Sequence, residues 1–95
     1  MNGIPVEAWI NENKNDPEFM AEFERQRPWY ELQRSIIQAR KKAGLTQAEI
    51  AQAMNTTKSA ISRLENAETL PNLKTLTRLA AVLGCHLEVK LIANQ

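Results

Sequence analysis

Four hydrogen-bonding side chains lie within six residues of one another in the middle of the chain: Lys58, Ser59, Ser62 and Arg63. On a helix the first two share its first turn and the other two follow one turn later. Lysine and arginine can donate to guanine O6 and N7, and serine can serve several bases. The spacing therefore predicts a set of base-contacting residues. Arg63 has an alternative, an ion pair with Glu65 or a neighbouring acid.

Three further residues are predicted to hold phosphates, because each lies at or near a predicted helix start: Gln47, Thr57 and Lys74. Helix N-termini present unpaired backbone N–H groups and a positive dipole end, so they favour anions. Thr57 can contribute its amide or its hydroxyl.

Catalytic chemistry is not indicated. The chain has one histidine, His86, and one cysteine, Cys85, and no metal-ligand or nucleophile–base spacing. We expect no enzyme activity, no cofactor, no metal and no small-molecule ligand. A lone cysteine cannot form an internal disulfide. No apolar run approaches the roughly 20 residues of a membrane span, so a cytoplasmic protein away from membranes is expected.

The elements that must position these side chains begin with a helix near residue 46. Thr46 and Glu49 have the spacing of a capping box, which satisfies two backbone donors at a helix start. One buried face then follows at helical spacing: Ile50, Ala51 and Met54.

A turn and a second helix follow. Asn55 tolerates the left-handed backbone that a sharp turn needs, and Thr57 can cap a helix with Ile61 and Leu64 inward. Two short helices joined in this way form a helix-turn-helix, whose second helix enters the DNA major groove. The alternative is an ordinary helical hairpin with no DNA role.

Residues 45–66 resemble the helix-turn-helix of the phage-repressor-like (Cro/C1, or XRE) family. The resemblance implies a phosphate contact for Gln47 and a small residue at Ala51 where helices approach. Residues 61–65 match the family's ISRxE-like run within the recognition helix, which is predicted over about residues 57–65. Asn55 replaces the family's turn glycine, and Thr56 replaces a valine.

Acidic and basic residues are unevenly distributed along the chain. Residues 1–24 carry six acids against one lysine, a net charge of −5, and residues 25–95 carry eleven bases against five acids, a net charge of +6. An acidic arm attached to a basic domain hints at two partners. We predict an arm over residues 1–27, a DNA-binding domain over 28–84 and a terminal segment over 85–95.

The arm is predicted to be a loop through residue 15, with at most a brief turn or strand over residues 6–10. A short helix follows, started by Asp16 and Pro17. Its apolar side is Phe19, Met20 and Phe23, which either docks on the chain's own domain or binds a partner. Residues 25–27 look like a break before a new helix at Pro28.

Two helices flank the motif, over about 28–43 and 72–83, and the tail then alternates with strand periodicity through Leu87, Val89 and Leu91. One strand cannot satisfy its own backbone, so pairing with the same strand of a second copy is expected. The alternative is a frayed tail. The predicted fold is all-α, a five-helix Cro/C1-type domain with a helical arm and a C-terminal dimerisation strand.

The acidic arm, the helix pair over residues 27–51 and the tail after Leu83-Gly84 are together similar to antitoxins of the HigA type. The resemblance implies a homodimer that represses its own operon through operator DNA and neutralises a HigB/RelE-like, mRNA-cleaving toxin with Phe19, Met20 and Phe23. The rival interpretation is a stand-alone repressor without a toxin. A third is an interaction module that has lost DNA binding.

Overall fold

The computed structural model describes residues 6–94, and within them the chain forms five α-helices. They are α1 (Val6–Asn13), α2 (Pro17–Ala43), α3 (Gln47–Ala53), α4 (Lys58–Glu65) and α5 (Leu73–Val82). The prediction of an all-α helix-turn-helix fold is confirmed, with α3 and α4 as the motif. No helix of the described part is both long enough and apolar enough to cross a membrane.

Side-chain caps fix where four of the helices begin. Asp16 accepts hydrogen bonds from the backbone N–H groups of the first turn of α2, and Pro17 occupies the position where its missing N–H costs nothing. The capping box of Thr46 and Glu49 is present at α3. Thr57 and Asn72 cap α4 and α5 in the same way.

Left-handed residues end the same four helices. The positive φ angles fall at Gly44, Asn55, Ala67 and Gly84. At each, the next backbone N–H reaches back to a carbonyl of the last helical turn, for example from Thr56 to Ala51 at 2.9 Å. Asn55, at φ 57°, therefore makes the tight turn of the motif as its sequence predicts.

Among these four left-handed residues, Ala67 has the most strained backbone, because its Cβ is crowded in the left-handed region at φ 60°. We expect Ala67→Gly to raise the free energy of unfolding by roughly 0.5–1 kcal/mol, the relief exceeding the extra entropy of an unfolded glycine. Urea titration measures it. Ala81→Gly, at an exposed helical position in α5, is the matched control and should destabilise by up to about 1 kcal/mol. An equal decrease in the free energy of unfolding of both variants would contradict the proposed strain at Ala67.

The core lies between the second half of α2 and helices α3 to α5. Ile50, Ile61 and Leu79 are fully buried at its centre, one from each motif helix and one from α5. The buried apolar residues predicted for the motif are all there: Ile50, Ala51, Met54, Ile61 and Leu64. This core fixes the angle between α3 and α4, and hence which face α4 presents to solvent.

Two expectations for the N-terminal part are wrong. Residues 6–13 form a helix rather than a loop, and α2 runs without a break through Pro28. Side-chain contacts span Pro28, where the backbone hydrogen bond that proline cannot donate is missing. The predicted domain boundary after residue 27 therefore falls inside a helix. Residues 1–5 of the predicted arm lie outside the described residues.

The predicted C-terminal strand is also wrong. Residues 85–94 adopt no regular structure, because the described part of the chain offers no second strand to complete a backbone ladder. Leu87 packs against the helical core, but Val89 and Leu91 are 65% and 101% exposed. The alternation of these three residues therefore reflects one anchor on the core followed by an exposed tail.

Candidate nucleic-acid interface

The N-terminal end of α4 is open to solvent. Lys58 and Ser59, the first two residues of the helix, are both exposed. The Thr57 hydroxyl accepts a hydrogen bond from the Ala60 N–H at 3.1 Å, so its own proton can still be donated. Because a helix start also carries unpaired backbone N–H groups, this end combines the side chains predicted to contact bases with donors that can bind a phosphate.

One turn further along, Ser62 and Arg63 differ in their surroundings. Ser62 is half-buried, and its Oγ accepts a hydrogen bond from Asn66 Nδ2 at 3.3 Å. Arg63 is exposed, and the expected alternative of a pair with Glu65 does not form, because Glu65 has other partners. The structure therefore leaves Arg63 able to reach a ligand in front of α4.

Glu65 is a buried carboxylate, 5% exposed, at the last residue of α4. Arg40 of α2 donates to it through two nitrogens, at 2.6 and 3.1 Å, and Gln47 of α3 donates at 3.0 Å. Gln33 of α2 donates to the Glu65 backbone carbonyl. Since a buried charge is tolerated only when it is paired, this network ties three helices together at the end of α4 opposite Lys58 and Ser59. The exposed surface at Lys58 and Ser59 is called the reading face below.

The pairing of Arg40 with Glu65 was not predicted from the sequence. The signal was its position four residues after Ile36, which places both on the inward stripe of α2. The guanidinium also donates to the Leu45 carbonyl at 3.2 Å and so holds the loop before α3.

The predicted phosphate-contacting residues occupy three helix starts. Gln47 is half-buried and uses one amide donor on Glu65, which leaves a second donor on the same nitrogen. Thr57 and Lys74 are exposed at the starts of α4 and α5. Their contacts with phosphate remain predictions.

Two grooves flank α4 and contain polar residues that the sequence interpretation did not select. Between α3 and α4, Gln52 and Thr56 line a groove with Lys58. Between α4 and α5, Arg78 lines a second groove with Arg63, and it also donates to the Met54 carbonyl at 2.9 Å. The spacing of Gln52, four residues after the exposed Ala48, was the available signal for its exposure.

The three predicted toxin-binding residues lie on one face of the first half of α2. Phe23 is buried, 4% exposed, between the rings of Phe19 and Tyr30 at centroid distances of 6.1 and 5.4 Å. The Arg27 guanidinium covers the Phe23 ring at 5.1 Å. Phe19 and Met20 are half-buried. Phe23 therefore packs within its own chain, while parts of Phe19 and Met20 face solvent.

The acids around this aromatic cluster are paired with neighbouring bases. Hydrogen bonds from Arg25 and then Gln26 lower the pKa of Glu22, and a hydrogen bond from Arg27 lowers the pKa of Glu24. Because both carboxyls have lower pKa values when folded, these pairs favour the helix at neutral pH and are lost as pH falls through the folded pKa values.

Comparison with known proteins agrees with this geometry. The helix-turn-helix family model matches residues 36–90, which begin in α2 and run past α5. Over 60 residues the chain is 37% identical to multiprotein-bridging factor 1a of Arabidopsis thaliana, a match that covers 63% of this chain and 42% of the relative. The chain thus spans less than half the length of that relative. No solved structure matches it. The family match covers more than half of the chain, which therefore belongs to the helix-turn-helix family of Cro/C1 (XRE) type.

Proposed function

We propose that this protein is a DNA-binding transcription regulator and an antitoxin: a homodimer that represses its own operon and neutralises a RelE-like, mRNA-cleaving toxin with its N-terminal arm. The arm is defined as α1 together with residues 17–27 of α2. The observation that carries the proposal is the separation of the arm from the reading face. Among the described elements α1 packs only against α2, whereas α4 is held from behind by the second half of α2. The protein itself performs no catalysis in this proposal.

Charge and exposure support a basic protein partner for the arm. Residues 1–27 carry six acids against three bases, a net charge of −3. Glu18 is exposed beside the half-buried Phe19 and Met20, so apolar contact area adjoins negative charge. A basic partner would gain association rate from the charge and affinity from the apolar contacts. A protein partner also agrees with the name of the relative, a multiprotein-bridging factor.

The dimer is proposed from the requirements of DNA recognition. A helix-turn-helix dimer places its two recognition helices one helical turn of DNA apart, about 34 Å. Exposed apolar side chains in the loop before α5, at the first residue of α5 and in the tail supply surface for contact between copies: Leu70, Leu73, Val89, Leu91 and Ile92. Sedimentation with and without an operator duplex tests this state.

The test of toxin neutralisation separates the two activities. Phe19→Ala with Met20→Ala removes the partly exposed apolar side chains of the arm and leaves the buried Phe23 in place. The assay co-expresses a small basic, toxin-like protein encoded beside the gene, where one is found. We expect this variant to lose growth rescue at least tenfold while operator affinity changes less than threefold.

The matched control is Lys58→Ala with Ser59→Ala, which should keep rescue and lose operator preference. Loss of both activities in the arm variant, together with loss of helical circular dichroism, would mean that the arm supports the fold instead.

A stand-alone repressor is the second candidate, favoured by the burial of Phe23 against its own chain. In that case, the arm is a structural extension of α2. Full operator binding combined with unchanged growth, whether or not the neighbouring reading frame is expressed, would select this function.

A further inference from the structure

Helix α2 has two halves with different attachments. From residue 32 onward it belongs to the core through Leu32, Ile36 and Ala39, and it reaches the end of the recognition helix through Gln33 and Arg40. These contacts fix the second half of α2 to α4.

The first half of α2 is attached locally. Glu22 pairs with Arg25 and accepts from Gln26, and Glu24 pairs with Arg27. All of these partners lie within the same helix. The buried Phe23 stands outside the core cluster that contains Ile36 and Ile50.

Pro28 lies between the two halves, inside the helix. Because proline has no N–H, the helix lacks the hydrogen bond that residue 28 would donate to the carbonyl of Glu24, and the ring crowds that carbonyl. Proline is also favourable at the first position of a helix. The second half can therefore begin at Pro28 as a helix in its own right.

Side-chain contacts bridge this discontinuity. Tyr30 donates to Gln26 at 3.1 Å, Arg27 lies 3.6 Å from Glu31, and the Phe23 and Tyr30 rings stack in parallel. The hydrogen bond and the ion pair lie at the helix surface, where such contacts are individually weak. Together with the ring contact they connect the two halves across Pro28 without making them one rigid element.

We propose that Pro28 is a hinge about which the arm bends away from the rest of α2 and returns as a unit. Residues 29–43 stay packed against the recognition helix α4 during this motion. A protein bound to the arm can then change the arm's conformation without displacing Gln33 and Arg40 from Glu65. The hinge is a property of the free chain and does not depend on what the arm binds.

Hydrogen exchange on the full chain, read residue by residue by NMR, tests the hinge. We expect amide protection factors over residues 18–27 to be at least tenfold below those over residues 33–43. In Pro28→Ala the restored hydrogen bond should slow exchange of the arm by about a hundredfold, the factor that corresponds to an interior proline. Pro71→Ala, in the loop before α5, is the matched control and should leave the arm unchanged.

A second variant tests the bridge across the proline. Phe23→Ala should speed exchange of residues 18–27 at least tenfold and leave the protection of Ile50 and Ile61 unchanged. Equal protection on the two sides of Pro28 in the native chain, or arm rates that Pro28→Ala does not alter, would overturn the hinge. The hinge would also be overturned if Phe23→Ala lowered the protection of Ile50 and Ile61 as much as that of residues 18–27.

Discussion

Replacing Glu65 by alanine is expected to lower the free energy of unfolding by about 3–5 kcal/mol, because the change leaves the Arg40 guanidinium buried without its carboxylate. Arg40 is only 18% exposed at its side chain, so water replaces little of the missing interaction. Small domains are stable by only about 5–15 kcal/mol, so the variant should melt far below the native protein. Urea titration followed by circular dichroism measures the difference.

Two further variants show whether the charge pair is the cause. Arg40→Met combined with Glu65→Leu removes both charges and keeps apolar volume, so most of the stability should return. Arg63→Ala, at an exposed arginine two residues away in sequence, should stay within about 0.5 kcal/mol of the native protein. A Glu65→Ala protein within 1 kcal/mol of native stability would show that the network does not hold the helices together.

The helix starts and the turn of the motif could be predicted from the sequence, because the interactions that form them are between residues close in sequence. The Thr46–Glu49 capping box and the left-handed Asn55 each involve residues within one or two turns of each other. The inward stripes of α3 and α4 were readable for the same reason, since helical spacing alone places Ile50 and Ile61 on a buried face.

The partner of Glu65 could not be predicted from the sequence, because Arg40 lies 25 residues away and approaches Glu65 only after the helices pack. The two larger differences, at Pro28 and in the tail, have separate causes. Proline is a strong sign of a helix boundary, yet the pairs Gln26–Tyr30 and Arg27–Glu31 carry α2 past Pro28. The tail shows strand alternation, but a strand also needs a neighbour, and periodicity says nothing about whether the chain supplies one.

The second prediction with a large expected effect concerns the reading face. Lys58→Ala with Ser59→Ala should lower the preference for operator over random DNA by roughly 1–3 kcal/mol for each base that the protein no longer reads. Both side chains are exposed on the first turn of α4, and the buried Glu65 holds the other end of that helix to α2 and α3. Fluorescence anisotropy on a duplex from the gene's own promoter, and on a scrambled duplex of equal length, measures the ratio of affinities.

Lys74→Ala provides the contrasting control, since a lysine at the start of α5 can hold a phosphate without reading a base. It should weaken binding to both duplexes by a similar factor and reduce the slope of log K against log salt by about 0.9. The double variant at Lys58 and Ser59 should instead lose most affinity for the promoter duplex and much less for the scrambled one. If the double variant keeps the native ratio of affinities while Lys74→Ala changes it, the base-reading residues lie toward α5 and not at the start of α4.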